Sequence, residues 1–418
     1  MLHSLLKSFS VTAALSLLLA PSLLAQGGSN YSAFGIGDIR YNAGAAYDAI
    51  GGTSIAVPLV RGINLLNPAA WSYTHSTRLQ AGYRFNQSLI SNSQSSISQN
   101  NGKIDGILAI FSIDTARGIS ASFGIQPYSS VNYLSASTFA VEADTSVKVK
   151  RELIGAGGLS TAYLGASFMP FKDLALGANA FAIFGTINST IRSTILGQNY
   201  SISTNEVEDG FRGVGGRFGA MYSVTPEFII GATAAVFSDL DLTSTLTYYS
   251  STTSPSVLNP DTSFITKSTV VLPAEFGIGA SYRTGQYLFS ADAEMQDFSG
   301  GFAFRPQSDQ TVFRRAMRMS AGIARIGNFR AGSSYFDKVG YGIGGGFKQL
   351  YYQVNGESID ELYGSFGLQL PIAGAAELDA ALTGGIRGTT NAGLVEELFM
   401  RASFSVSIGE TWFKPFAR

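Results

Sequence analysis

The chain has 418 residues, a formal net charge of −1 and no cysteine. It therefore offers no disulfide, no thiolate metal site and no electrostatic footprint for nucleic acid. Only 14% of residues are charged, where about 25% is usual in soluble domains, yet beyond the leader no run of about 18 apolar residues is present to make a spanning helix.

Residues 1–25 read as a secretory signal. Lys7 supplies a basic start, Val11, Ala13, Leu15 and residues 17–20 the apolar core, and Ala25 precedes a cut at Gln26. Pro21 and the short core argue against a membrane anchor, although Leu23 is larger than usual for its place before the cut. Residues 26–75 do not alternate. They are rich in Gly and Ala, contain Pro58 and Pro68, and are too apolar for a disordered linker, so we read them as a hatch, a plug inside a larger structure. Residues 76–418 read as a barrel.

Strand one begins near Thr77, with Leu79, Ala81, Tyr83 and Phe85 opposing Arg78, Gln80, Arg84 and Asn86. The spacing predicts further strands over 103–114, 118–133, 159–170, 174–190, 211–224, 228–249, 264–282, 287–298, 314–326, 340–354, 359–371, 376–387 and 397–412. In the last, Leu398, Met400, Ala402, Phe404, Val406 and Ile408 share one face, and Arg401, Ser403, Ser405 and Ser407 the other. A soluble sandwich gives the same alternation. The leader, the strand lengths and a final strand ending at Trp412 and Phe413 favour an all-β, transmembrane antiparallel barrel of about 14 strands with lipid outside and a polar lumen.

Short joins are expected at 114–118, 170–173, 225–227, 283–286 and 372–375, and long polar loops at 91–101, 134–158, 191–210, 250–263 and 299–313, matching periplasmic turns and outer loops. Segment 327–339 is too long for this asymmetry. The charges on polar faces, Arg84, Asp292, Glu294, Arg318, Glu377, Asp379, Arg387 and Arg401, should point inward, because a lipid-facing charge costs a few kcal/mol at mid-membrane. Pairing with one another or with the hatch is the expected role, and ligand contact the alternative.

Gly51-Gly52-Thr53-Ser54-Ile55-Ala56 followed by Asn67-Pro68-Ala69, just ahead of the first strand, resembles the hatch of FadL-type outer-membrane transporters of hydrophobic compounds. Residues 123–131, Gly157-Gly158-Leu159, residues 163–165, residues 272–277 and Glu410-Thr411-Trp412-Phe413-Lys414 resemble the branch of that family common in Bacteroidota. The linker 57–66 departs from it by lacking the acidic residues many members carry, and Pro415 to Arg418 extend past the usual terminal aromatic.

Pro127 has a reading of its own. Proline removes a ladder donor and is tolerated mid-sheet only at an edge or bulge, so the wall must be interrupted in strand three. The resemblance implies an inward kink there, with Gly124, Pro127 and Tyr128 bordering a lateral exit for an apolar ligand; a plain bulge is the alternative.

Enzyme chemistry is not expected. His75 beside Ser72 and Ser76 raises a lipid hydrolase, but a structural role at the hatch–strand junction fits better. Gly340, Gly342 and Gly345 match a dinucleotide-loop spacing inside a strand run with no following helix. No metal constellation or cofactor is read. By resemblance the protein is expected to be a monomeric outer-membrane channel for passive uptake of long-chain fatty acids or aromatic hydrocarbons, delivered by the barrel-assembly machinery and surrounded by outer-membrane lipids. The alternative is a non-transporting barrel of the same type acting as a scaffold or partner-binding subunit of a secretion system, which a sealed wall and a filled lumen would favour.

Overall fold

The computed structural model describes residues 28–410 except 42–43, 59–61, 143, 197–200, 252–258, 306–309, 331 and 374. The leader, its cut site and Trp412 and Phe413 lie outside the described residues.

Fourteen antiparallel staves close into a barrel. They are β1 (Thr77–Ser91), β2 (Ser96–Asp114), β3 (Ile119–Pro127 and Ser129–Val141), β4 (Asp144–Phe171), β5 (Leu174–Leu196) and β6 (Ser201–Ser223). Next come β7 (Phe228–Phe237 and Leu240–Ser251), β8 (Asn259–Val270 and Glu275–Thr284), β9 (Tyr287–Asp297) and β10 (Thr311–Phe313 and Arg315–Arg325). The last are β11 (Gly340–Val354), β12 (Glu357–Ala373), β13 (Ala376–Gly388) and β14 (Glu396–Glu410). β14 pairs with β1 from Glu396↔Ser91 to Glu410↔Thr77, which closes the sheet. In hydrocarbon only helices and closed sheets satisfy the backbone internally; here the sheet closes, and among the described residues no helix is long and apolar enough to cross a membrane.

The period-two pattern sets the facing. On β14, Leu398, Met400, Val406 and Ile408 are exposed on the outer wall, while Ser403, Ser405 and Ser407 are buried. At the short-turn end Tyr222, Tyr282, Tyr287 and Tyr341 form an outward aromatic girdle, as interfacial rings do.

Two expectations about connections need correcting. The polar tracts 91–101, 134–158 and 191–210 are mostly strand. β4 runs for 28 residues and β5 and β6 for 23 each, where about 9–11 span a bilayer. Above the membrane both faces of a ribbon meet water, so the alternation that marks a strand disappears while the ladder continues. The outer connection after β9 is not simply a solvated loop. Phe298, Phe302 and Phe304 fold into the barrel mouth against Tyr351, Tyr352 and Tyr31, with the Phe298 and Tyr351 ring centroids 4.5 Å apart. Segment 327–339 contains a short helix, taken up below.

The hatch occupies the lumen. It comprises a turn at Asn30–Ala33, a two-residue strand Asp38–Ile39, the helix α1 (Ala45–Asp48) and a 3-10 turn Pro68–Tyr73. Ile36, Ile50, Ile55, Val57, Leu66 and Trp71 are all buried.

Candidate functional site

The hatch motif is a seat against the wall. Gly51 and Gly52 have φ of +72° and +82°, a left-handed turn that glycine enters without steric cost. A Cβ on Gly51 would stand 2.7 Å from the Gly345 backbone N. Tyr363 donates to the Gly51 carbonyl at 2.9 Å and Gly51 N–H donates to Ser365 at 2.9 Å. Thus Gly340, Gly342 and Gly345, which match a nucleotide-loop spacing, lie in strand β11 with Gly342 and Gly345 bordering the hatch. Asn67 caps the turn that begins at Pro68, accepting from Ala69 N–H at 3.0 Å. Its amide nitrogen donates to Ile55 O in the hatch at 2.7 Å and to Ala220 O in β6 at 3.1 Å. Ala69 is fully buried.

The predicted lumen charges all sit inside or at the inner face. Arg84 reaches Asp48 of the hatch at 2.7 Å and Asp105 of β2 at 3.0 Å. Asp292 accepts from Ser54 and Ile55 N–H. Arg318 pairs with Glu294 and donates to Gly52 O at 3.3 Å. Arg387 contacts Glu361 at 2.5 Å, Asp38 at 3.0 Å and Glu397 at 3.9 Å. Glu377 meets Arg78 at 3.5 Å, Asp379 accepts from Ser405 at 3.2 Å, and Arg401 donates to Asn86 at 3.0 Å. Buried charges in this number hold only when partnered, and the hatch supplies many of the partners. Burial, reinforced by Arg84, pulls the hatch residue Arg40 down to about 10, with Asp105 opposing; it remains a cation at neutral pH and binds Asp105 at 2.7 Å.

At Pro127 the wall changes partners. The β2–β3 ladder ends at Ile107↔Ile125, whereas the β3–β4 ladder continues through Pro127↔Ser160. Beyond it, Ser129 and Ser130 pair with Ile39 and Asp38 of the hatch, and Arg40 N–H donates to Tyr128 O at 2.9 Å. The upper halves of β2 and β3 thus diverge. Side chains bridge the space: Gln99 donates to Leu134 O at 2.7 Å, and Lys103 to Ser130 Oγ at 2.8 Å and Gly157 O at 3.0 Å. Gly124 lies below the break, within the ladders to Leu108 and Tyr163. Tyr128 is buried, its hydroxyl accepting from Gln296 at 3.2 Å.

Two cavities inside the barrel, among the described residues, are small and lined by polar and apolar groups alike. One of about 130 Å³ is bordered by Arg40, Arg84, Lys348, Arg387, Glu397 and Arg401, among others. Another of about 30 Å³ lies against Pro127, Tyr128 and Arg217. Larger hollows face lipid, including one of about 940 Å³ on the outer wall across β4–β10, edged by Phe168, Phe218, Phe276 and Met295. His75 is exposed and Ser72 buried.

Sequence reasoning missed Asn64, whose side chain donates to Ser54 O and accepts from Leu66 and Asn67 N–H. It also missed Asp38, Asp48 and Asp105 as ion-pair partners, because none of them sits in a plain alternating run; Gly106, beside Asp105, has φ +126° at the β2 bulge.

A family model described as BamG matches residues 5–416. The chain belongs to the BamG family. Among curated proteins no relative matches. Solved structures with the same fold include the CymD monoaromatic hydrocarbon channel, at 14% identity over 91% of this chain and 100% of that one, with a TM-score of 0.59. The Ralstonia pickettii toluene transporter TbuX matches at 17% identity over 88% and 98%, TM-score 0.57. A Pseudomonas aeruginosa FadL homologue matches at 11% over 90% and 99%, TM-score 0.57. This BamG-family chain has the FadL-type barrel fold, and its closed sheet with an apolar outer wall is that of a Gram-negative outer-membrane protein.

Proposed function

We propose that this protein is a partner-binding barrel of the outer membrane, a non-enzymatic scaffold that works with the barrel-assembly machinery. The observation that carries this reading is the filled lumen. The hatch is cross-linked to the wall by buried ion pairs, the mouth is packed with Phe298, Phe302 and Phe304, and the interior space bordered by Arg84 and Arg387 is about 130 Å³ and charged. Pockets for drug-sized ligands are usually about 300–1,000 Å³ and mostly apolar. The BamG name of the family supports the same direction.

The experiment is affinity isolation of the tagged protein from its own outer membrane in mild detergent. Stoichiometric recovery of barrel-assembly components, and a fall in other outer-membrane proteins on depletion, is the expected result. Recovery as a free barrel with depletion leaving those levels unchanged would reject it.

A second reading, passive uptake of small hydrophobic molecules with lateral exit, is favoured by the divergence of β2 and β3 above Pro127. The hydrocarbon channels named above lend it support through their shared fold. Co-extraction of a defined apolar ligand, identified by mass spectrometry, with loss of its uptake on deletion, would favour this reading over the first.

A further inference from the structure

The described residues of the connection between β10 and β11, at the short-turn end, form a knob whose aromatic side chains are exposed. Its helix α2 (Tyr335–Lys338) is closed by a capping box between Ser334 and Asp337, so the only carboxylate of the segment is engaged within it. Asn328 N–H donates to Asp337 O at 2.8 Å, and Arg325 donates to Val339 O at 2.9 Å. Ile326 packs beside the buried Tyr47, Ile50 and Leu288 and roots the knob in the barrel floor. Despite this bonding, Phe329, Tyr335 and Phe336 are exposed, Phe336 at 81%, and Arg330 is exposed beside them.

Two features indicate what covers these rings. The knob is continuous with the aromatic girdle: Tyr341 follows it on β11, and the Arg325 guanidinium lies over the Tyr341 ring at 5.6 Å. Its charges other than Asp337, namely Arg330 and Lys338, are cations. Aromatic rings close to Lys and Arg are the composition that settles at lipid headgroups, where the ring finds the acyl boundary and the cation the phosphate.

We propose that Phe329, Tyr335 and Phe336 form a foot seated in the headgroup layer of the periplasmic leaflet, with Arg330 and Lys338 against lipid phosphates. The foot extends the barrel's grip on the membrane sideways beneath β10–β12 and limits its tilt. It stands independently of the scaffold reading.

The test uses the full-length protein with Phe336→Trp, reconstituted in vesicles of phosphatidylethanolamine and phosphatidylglycerol whose acyl chains are brominated near the headgroup. Emission is compared with that of the parent protein to subtract the native tryptophans. The added fluorescence should lose most of its intensity to the brominated lipid and resist aqueous iodide. In a second protein, Arg330→Ala and Lys338→Ala added to Phe336→Trp should weaken the lipid quenching, while heat-modifiable folding stays intact. Emission quenched by iodide and not by brominated lipid would overturn the proposal and assign the rings to a periplasmic protein surface. Emission shielded from both quenchers would overturn it equally, in favour of contact between copies.

Discussion

The carboxylate of Asp292, on β9, accepts the backbone N–H of Ile55 in the hatch at 2.9 Å, and the Ser54 N–H meets the same oxygen at 2.5 Å. A strand residue therefore does for the hatch what a cap does for a helix: it satisfies two successive donors that have no partner of their own. Removing it leaves both N–H groups buried and unpaired, at about 1–3 kcal/mol each. Asp292→Leu should leave the barrel assembled, with normal heat-modifiable migration, while residues near Ser54 become cleavable by protease added to the purified protein. Unchanged protection of the hatch would show that this contact is dispensable.

Facing can be tested on the next residue along. Ala293 borders the outer hollow and points to lipid, so Ala293→Arg should cost about 2–4 kcal/mol if it lies near mid-membrane. Urea unfolding of the barrel in phospholipid vesicles reads this directly. Equal stability of Ala293→Arg and wild type would contradict the assignment of faces.

Two glycines should respond to the same substitution with opposite sign. A Cβ at Gly219 would fall on Asn67 Oδ1 and lie 2.8 Å from Pro68 Cδ, an overpacking that costs about 1–3 kcal/mol. At Gly384 the nearest atom is Phe399 O at 3.8 Å, and relief of glycine's backbone entropy should add roughly 0.5–1 kcal/mol. Gly219→Ala is thus expected to lower, and Gly384→Ala to raise slightly, the unfolding midpoint. Parallel shifts would mean that hatch and wall are not in contact at Asn67.

The break at Pro127 should be hard to repair by changing the proline alone. Its upper strand is already paired with Asp38 and Ile39, so Pro127→Val restores a donor without bringing β2 back. The side chains that close the space matter more. Because the chain has no cysteine, Asn132→Cys provides a single thiol at the cavity edge. Lys103→Met, which removes donors to Ser130 and Gly157, should speed its labelling by a maleimide about tenfold, the equivalent of losing one charged hydrogen bond. Pro127→Val should change it little. The reverse ranking would locate closure at the proline.

Much of the barrel was legible because a closed sheet between lipid and lumen imposes a strict two-residue period: Leu398 to Ile408 declare their faces one by one, and the charges Arg84, Asp292 and Arg318 had only the lumen to point to. The asymmetry of the two ends was legible in part. Above the bilayer the constraint lapses, so the long ribbons of β4–β6 looked like loops, although their backbone pairing continues. What the hatch touches was decided only in three dimensions. Asp38, Asp48 and Asp105 meet Arg387, Arg84 and Arg40 across separations in sequence that no local pattern encodes, and the motif at Gly51 and Asn67 says that a close approach is needed without saying to which strand. The sequence by itself determined a barrel with a plug; the tertiary structure decided that the plug, the mouth aromatics and the ion pairs leave little room inside, because filling depends on side chains brought together from every part of the wall.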